Sequence, residues 1–304
     1  MSRTQWLLLL VLSVLWGGSF FFVGVAVKEL PAFTIVLARV ALAAVFLLPL
    51  VLAVGLRLPT SLTEWMPFVV MSILNNVLPF TFITFGQKAV ASGLASVLNA
   101  TTPLFTLVIM HVFAGEKLQA RKLLGVALGI LGVAVLMGWS RLDSSAASPI
   151  GMLMCLAGSL SYGFAALWGR RLRTTPPLVA ATCQLLASAA ILALLAALVE
   201  QPWMLPSPTA PTLLALIGLA AASTSLAYVI FYRILSVSGP TNVMLVTLLI
   251  PVTGIGLGVT VLGETLEPRH IMGALVIASA LLVIDGRILS LLPSRTGHYP
   301  SRKA

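Results

Sequence analysis

Residues 103–125 read PLFTLVIMHVFAGEKLQARKLLG, and residues 251–273 read PVTGIGLGVTVLGETLEPRHIMG. The two stretches share a proline, a Gly-Glu pair, a leucine and a glycine, and each shared position lies 148 residues further on in the second copy. Three basic residues follow the first Gly-Glu pair within six positions, whereas only one follows the second. A duplicated segment with different flanking charge indicates two halves that lie in a membrane in opposite orientations.

The composition is that of a membrane protein. Hydrophobic residues make up 59% of the 304 residues, charged residues make up 9%, and the mean hydropathy is +1.08. A soluble domain has about 25% charged residues, so most of this chain must face lipid or other apolar helices. The net charge of +10 is therefore expected to mark cytoplasmic loops rather than nucleic-acid binding. Cys155 and Cys183 lie in apolar runs and are expected to be buried thiols, not a disulfide or metal ligands.

Ten apolar windows have the length of about 20 residues that a membrane-spanning helix needs. They cover residues 5–26, 33–54, 66–86, 92–113, 121–139, 149–168, 178–199, 211–233, 240–262 and 269–289. We expect an all-α integral membrane protein whose ten transmembrane helices form two inverted five-helix repeats around a central cavity. The first repeat is expected over residues 1–143 and the second over residues 144–304. No loop is long enough to hold an enzymatic domain.

The distribution of lysine and arginine predicts the orientation. With the N-terminus inside, 13 of the 18 basic residues fall on the cytoplasmic side, four fall on the other side, and Arg39 lies within a span. The positive-inside rule then places both termini in the cytoplasm. We expect a multi-pass protein of a bacterial cytoplasmic (inner) membrane, present as a monomer or a weak homodimer.

Two five-span repeats with paired Pro-x11-Gly-Glu-x-Leu-x6-Gly stretches resemble the EamA-type members of the drug/metabolite transporter superfamily. The segment Trp16-Gly17-Gly18-Ser19-Phe20 and Arg39 fit that family too. The resemblance extends from about residue 5 to residue 290. Within the superfamily the chain is most similar to the YddG-type exporters of amino acids and related metabolites. The resemblance implies a central cavity lined mainly by spans 1, 3, 4, 6, 8 and 9.

Span 4 carries Ser96, Asn99 and Pro103 on one helical face, with Thr102 beside it. Aligning the two motif prolines places Asn99 opposite Thr247 of span 9, at the same depth in the other repeat. An amide is costly in lipid, and matching polar positions at a repeat interface are where a substrate site is expected. The alternative is that both side chains are interhelical hydrogen-bonding partners.

Span 3 carries Asn75 and Asn76 just before Pro79. Adjacent residues point about 100° apart on a helix, so at most one asparagine is expected to face the cavity. The alternative is that the amides bond to backbone groups freed by the proline. Phe82 aligns with Tyr228 of span 8, and the two rings are candidates for an apolar or cation–π wall; packing alone is the alternative.

Trp16 and Ser19 of span 1 align with Tyr162 and Ala165 of span 6. An aromatic residue followed by glycine in both spans suggests a ring at one end of a cavity, and an interfacial aromatic belt is the alternative. The candidate substrate-binding residues are Trp16, Ser19, Asn75, Asn76, Phe82, Asn99, Thr102, Tyr162, Tyr228 and Thr247.

Arg39, whose counterpart in the second repeat is approximately Gln184, could pair with a substrate carboxylate. The favoured interpretation is structural, with the side chain reaching outward to Glu29 or to helix-end carbonyls, so that the cavity lining is uncharged. Glu116 and Glu264 lie just before spans 5 and 10, where an acid complements the helix dipole. The residues assigned to gating or structure are Arg39, Pro103, Gly115, Glu116, Pro251, Gly263 and Glu264.

All eight acidic residues lie in loops or at span ends, which disfavours a pump driven by an intramembrane carboxylate. His111 near the end of span 4 is expected to be an interfacial histidine. The sequence carries no metal-ligand cluster, activated nucleophile or phosphate loop, so no enzyme, metal or cofactor is expected.

We expect facilitated export of amino acids or related neutral or zwitterionic metabolites by alternating access. A multidrug or aromatic-cation exporter of the same fold, or a channel-like pore, is the alternative.

Overall fold

The computed structural model describes residues 2–117, 119–137, 148–238 and 246–285. In this part of the chain ten apolar helices follow the order of the predicted spans. They are α1 Arg3–Ala26, α2 Ala32–Ala53, α3 Leu62–Gln87, α4 Ser92–Ala114, α5 Ala120–Met137, α6 Pro149–Leu172, α7 Pro177–Val199, α8 Ala210–Ile234, α9 Val246–Thr260 and α10 Pro268–Asp285. The first eight are long and apolar enough to cross a membrane, and α9 and α10 are shorter. The predicted all-α membrane fold is confirmed, while the predicted repeat boundary at residues 143 and 144 lies outside the described residues.

Helix starts follow from local sequence. Pro149 and Pro177 occupy the first turns of α6 and α7, where the missing N–H costs no intrahelical bond. The Ser61 side chain accepts the N–H of Glu64 at the start of α3, which satisfies one of the free donors of a helix N-terminus. The apolar runs between these signals then continue as helix, because all backbone hydrogen bonds must be made within the segment in lipid.

The helices pair in a pattern that is preserved when the two repeats are exchanged. Helix α5 packs on α10, α2 packs on α7, and α4 packs on α9. The contact of α1 with α9 corresponds to that of α6 with α4, and the contact of α3 with α6 corresponds to that of α8 with α1. This pattern is the one expected of two five-helix repeats related by a two-fold axis.

Small residues let the paired helices approach closely. A Cβ atom added to Gly132 of α5 would lie 3.1 Å from the carbonyl oxygen of Gly273 in α10, and one added to Gly273 would lie 2.8 Å from that of Gly132. In the pair formed by α4 and α9, a Cβ atom at Gly254 would lie 2.5 Å from the Ser96 hydroxyl. Such contacts are typical of helix packing in membranes.

Three helices are irregular part-way along their length. Helix α3 has a π-helical turn at Ile73–Val77, α8 has one at Ala221–Leu226, and α4 is interrupted at residues 100–101, just before Pro103. Aligning Phe85 with Phe231 maps the first π turn onto residues 219–223, so the two π turns overlap in the repeats. π turns often occur at functional sites.

Candidate functional site

The π turn of α3 places two asparagines in a network of amide and hydroxyl side chains inside the helix bundle, and Tyr228 of this network lies two residues after the π turn of α8. Asn75 Nδ2 donates to Gln184 Oε1 of α7 at 3.0 Å and lies 3.5 Å from the Tyr228 hydroxyl of α8. That hydroxyl donates to Asn76 Oδ1 at 3.2 Å, and Asn76 Nδ2 donates to Ser188 Oγ at 3.0 Å. Helices from both repeats therefore meet in one hydrogen-bonded group, which we call the amide network: Asn75, Asn76, Gln184, Ser188 and Tyr228.

The two asparagines of this network differ in access. Asn76 is 0% exposed, whereas Asn75 is half-buried. The alternative was that the two amides bond to backbone groups freed by Pro79. The structure does not show these bonds, because the Leu74 carbonyl accepts the Ser161 hydroxyl at 2.7 Å. Both amides bond side chains instead, and of the two only Asn75 has surface left for a ligand.

Arg39 lies beside the amide network and not at the end of its helix. Its Nε donates to Thr224 Oγ1 in the π turn of α8 at 3.0 Å, and its guanidinium carbon lies 3.6 Å from the centroid of the Phe80 ring. The side chains of Tyr162 and Tyr228 also lie near its guanidinium group. Arg39 is 9% exposed and lies seven residues after Ala32, about 10 Å from the helix start at 1.5 Å per residue.

This position corrects the interpretation in which Arg39 reaches outward. Glu29, the proposed partner, instead accepts the backbone N–H of Thr209 at 2.8 Å and its hydroxyl at 2.6 Å. Because the Glu29 carboxylate forms its hydrogen bonds at the start of α8, it does not pair with Arg39. The Arg39 guanidinium instead stacks on the Phe80 ring. Arg39 therefore adds one positive charge to the region beside the amide network, which was expected to be uncharged. Within the described residues Arg39 forms no ion pair.

An aromatic chain runs from α1 to the amide network. The Trp16 ring lies 5.4 Å from Phe231, which lies 5.2 Å from Tyr232, which in turn lies 6.3 Å from Tyr228. Tyr162 lies on the other side, with its ring 6.5 Å from Phe80. The predicted residues Trp16, Tyr162 and Tyr228 thus line one region built from α1, α3, α6 and α8.

Two further predicted residues are less well placed for this region. Ser19 is buried, at 8% exposure, and Phe82 is half-buried and makes no ring contact with the described aromatic residues. Among the described residues Phe82 and Tyr228 therefore form no ring pair, and the choice between a cavity wall and packing stays a prediction for Phe82. Phe80, two residues earlier, is the ring that contacts Arg39.

The predicted pair on α4 and α9 is divided between two environments. Asn99 is half-buried, its Oδ1 has no partner among the described residues, and its carbonyl accepts the Thr102 hydroxyl at 2.8 Å. Thr247 instead lines an apolar groove of about 320 Å³ between α4, α9 and α10, together with Pro251 and Ala100. The structure therefore does not place Thr247 in the amide network.

The two Gly-Glu corners adopt the same backbone geometry. Gly115 and Gly263 both have φ of 68°, a left-handed conformation that favours glycine. The N–H of Glu116 bonds to the Met110 carbonyl, and the N–H of Glu264 bonds to the carbonyl of Gly258. The corners turn each carboxylate away from the helix that follows it.

This turn corrects the prediction that these acids complement the dipoles of α5 and α10. Glu264 accepts the backbone N–H groups of Ser92 and Gly93 at the start of α4, at 2.7 and 3.0 Å. Glu116 pairs with Arg170 at 2.6 Å in an exposed ion pair. The following helices begin four residues after each acid, too far on for it to cap them.

Helix N-termini on the Glu264 side of the bundle are capped across the repeats by other acids as well. Glu200 accepts the N–H groups of Phe33 and Thr34 at 2.9 and 2.7 Å, and Glu29 caps α8 as described above. Hydrogen bonds from Thr209 lower the pKa of Glu29 from its ordinary value, because they stabilise the ionised form. The capping role of these acids was not predicted, since it depends on tertiary contacts 166 to 180 residues apart.

The region around Arg39 also contains residues that were not candidates. Ser188, Thr224 and Phe80 contact the predicted residues directly. The one signal in the sequence that pointed to this region was the repeat symmetry, which aligns Gln184 with Arg39. In the structure Gln184 bonds to Asn75, and Arg39 contacts Phe80 and Thr224. Among the described residues no group of histidine, cysteine or acidic side chains could hold a metal ion.

Comparison with protein families decides the class. The model of the EamA-like transporter family matches the chain twice, over residues 4–138 and 149–285. The chain belongs to the EamA-like transporter family. This EamA-like protein is therefore a multi-pass membrane transporter and not an enzyme, and the two matches reproduce the internal duplication read from the sequence.

Relatives of this EamA-like transporter cover nearly its whole length. It is 26% identical over 277 residues to the inner membrane transporter YedA of Escherichia coli (strain K12), covering 91% of this chain and 89% of that protein. It is 28% identical over 300 residues to a probable amino-acid metabolite efflux pump of Salmonella typhimurium (strain LT2), covering 93% and 95%. One crystal structure has a similar fold, with a TM-score of 0.65 at 20% identity over 93% of this chain and 96% of that one.

Proposed function

We propose that this EamA-like transporter exports amino acids or closely related small metabolites by alternating access, as the YddG-type exporters that it resembles do. The observation that carries the proposal is the amide network, because it joins side chains of both repeats at the irregular turn of α3 and next to that of α8. A site at the repeat interface is exposed to either side in turn when one repeat rocks against the other. The efflux function named for the Salmonella relative supports the same substrate class.

The chemistry of the region favours polar organic molecules of amino-acid size. Asn75 offers an amide group, Tyr162 offers a phenol, and Arg39 offers a guanidinium. Asn99 on α4 carries a further amide, whose oxygen has no partner among the described residues. A mainly apolar surface with a few polar groups is typical of small-molecule sites. We expect facilitated export down a gradient, with both termini in the cytoplasm, since the acids of the described spans lie at helix ends and the basic residues favour that orientation.

The test is counterflow in proteoliposomes with a panel of labelled amino acids, nucleosides and aromatic cations. We expect saturable exchange that is stimulated by unlabelled amino acid on the opposite side. Asn99→Ala and Tyr162→Ala should reduce exchange about tenfold or more while leaving membrane insertion intact. Trp203→Ala serves as the control, because this ring is 68% exposed in a loop. Exchange of aromatic cations alone would favour a multidrug exporter, and flux that rises linearly to high concentration would favour a channel.

A further inference from the structure

Arg39 is a buried cation with a fixed orientation and unused donors. Its Nε is held by Thr224 and its plane lies against Phe80, so two contacts fix the direction of the guanidinium. The terminal amino groups donate to no acceptor among the described residues. Isolated charges are costly in a low-dielectric interior, and hydrogen bonds to a charged group are among the stronger ones. The arrangement therefore lacks an anion of about the size of a carboxylate.

Among the described residues no carboxylate of the protein pairs with Arg39. All eight acidic residues of the sequence lie in loops or at span ends, and the acids nearest the start of α2 are engaged elsewhere. Glu200 bonds to Phe33 and Thr34, and Glu29 bonds to Thr209. A planar guanidinium with two free amino groups matches the two oxygens of a carboxylate. Among the described residues beside Arg39, an ammonium group would find aromatic faces, hydroxyls and amide oxygens but no carboxylate.

We propose that Arg39 binds the carboxylate of the transported molecule and that the amino group of an amino acid is dispensable for recognition. This assignment rests on the proposed function, whose site it shares, and it narrows the substrate class to small organic carboxylates. N-acylated amino acids belong to that class, whereas amino-acid amides do not. Arg39 is then the residue that determines specificity, and Thr224 is a positioning residue that orients it.

The experiment uses the full-length transporter in proteoliposomes and in detergent. Leucine and phenylalanine, their N-acetyl derivatives and their amides compete against labelled leucine or phenylalanine in counterflow. The same compounds are tested for thermal stabilisation of the purified protein. In the wild type the N-acetyl derivatives should compete within about fivefold of the parent amino acids, and the amides about 10- to 100-fold more weakly, the range expected for a charge-assisted hydrogen bond.

Substitutions then assign the effect to the arginine. In Arg39→Gln the parent amino acids and their N-acetyl derivatives should compete only as weakly as the amides. Competition in Arg39→Lys should be intermediate, because lysine keeps the charge but not the planar guanidinium group. Arg171→Gln is the matched control, since that exposed arginine also stacks on an aromatic ring, with its guanidinium carbon 4.2 Å from the centroid of Trp168. Arg171→Gln should leave the difference in competition between the carboxylates and the amides unchanged. Thr224→Val should raise KM more than it lowers kcat.

Each outcome decides something. Amides that compete as well as the parent amino acids, or N-acetyl derivatives that do not compete, overturn the proposal from the wild type alone, even if Arg39→Gln does not fold. If no amino acid of the wider counterflow panel is exchanged, the proposed function fails. The role of Arg39 is then tested separately, by thermal shifts of the purified protein with benzoate and benzamide. Carboxylate binding by Arg39 is supported if benzoate stabilises the wild type but neither Arg39→Lys nor Arg39→Gln. It is excluded if both compounds shift the Tm of the wild type equally.

Discussion

Glu264, in the loop between α9 and α10, accepts the backbone N–H of Ser92 at the start of α4 with a distance of 2.7 Å. A second bond runs to the N–H of Gly93 at 3.0 Å. The first four N–H groups of a helix have no partner within it, and a carboxylate there also interacts favourably with the helix dipole. Because Glu264 lies in the second repeat and α4 in the first, the bond ties the repeats together at one end of the bundle.

Glu264→Ala is expected to destabilise the protein by about 1–2 kcal/mol, the usual cost of removing a charged cap. Thermal unfolding in detergent measures the effect, and Glu264→Gln should be intermediate because an amide oxygen still accepts one bond. Glu267→Gln is the control in the same loop. Its side chain is 47% exposed and pairs with Arg269, two residues further on, so the effect of removing its charge should stay below about 1 kcal/mol. An unchanged Tm for Glu264→Ala would contradict the capping role.

Gly258 provides the space that Glu264 occupies. A Cβ atom at Gly258 would overlap the Glu264 carboxylate, whereas nothing lies within 4 Å of a Cβ atom at Gly256 on the same helix. Gly258→Ala should therefore lower Tm, and Gly256→Ala should be neutral or stabilising, since alanine is the better helix former by about 1 kcal/mol. Combining Gly258→Ala with Glu264→Ala should cost less than the sum of the single changes. Strict additivity of the two would argue against a shared site.

Much of the fold follows from composition and spacing. The number of helices, the duplication and the paired corners at Gly115 and Gly263 are readable because apolar length and a repeated motif are local signals. The π turns are not readable in this way, since no residue type marks a single extra residue in a helix. Pro79 lies two residues after the first π turn and the hydroxyl residues 223–225 lie within the second, but neither feature specifies a π turn by itself.

The candidate site was predicted in part, and the errors have one cause. Asn75 lies 3.5 Å from the Tyr228 hydroxyl and Tyr162 lies beside Phe80, whereas the repeat alignment had paired Tyr228 with Phe82 and Tyr162 with Trp16. Substrate binding by these residues stays a prediction. The direction of Arg39 and the partners of Glu264 were wrong, because each was assigned to the nearest group along the chain. Long side chains bond across the bundle instead, Arg39 to Thr224 and Glu264 to Ser92, and sequence separation carries no information about that choice.

Glu29 makes the cap on α8 sensitive to pH. Its pKa is lowered from the ordinary value of 4.5, chiefly by the Thr209 hydroxyl and then by the Thr209 backbone N–H. A carboxyl group with a lower pKa in the folded state stabilises the fold above its unfolded pKa, and that contribution disappears as pH falls through the folded pKa. The Tm difference between wild type and Glu29→Gln should be constant at pH 6–7 and should vanish at acid pH. A difference independent of pH would exclude this linkage.

The adjacent residues Asn75 and Asn76 are expected to respond differently to substitution. Asn76 is 0% exposed, donates to Ser188 and accepts from Tyr228. Asn76→Ala would leave these buried partners without their hydrogen bonds, at about 1–3 kcal/mol for each group that stays unsatisfied. It should therefore lower Tm strongly and reduce the yield of folded protein.

Asn75→Ala should instead mainly affect transport. Its amide is half-buried and donates to Gln184 at 3.0 Å, so a ligand or water can replace it with a smaller loss of stability. We expect KM to rise about tenfold, with Tm within a few degrees of the wild type. Gln184→Ala should raise KM in the same way but should also lower Tm, because Gln184 is 2% exposed. The KM effect of the double variant should be smaller than the sum of the two single effects, because both residues contribute to one hydrogen bond. A large loss of Tm for Asn75→Ala with unchanged KM would reassign it to structure, together with Asn76.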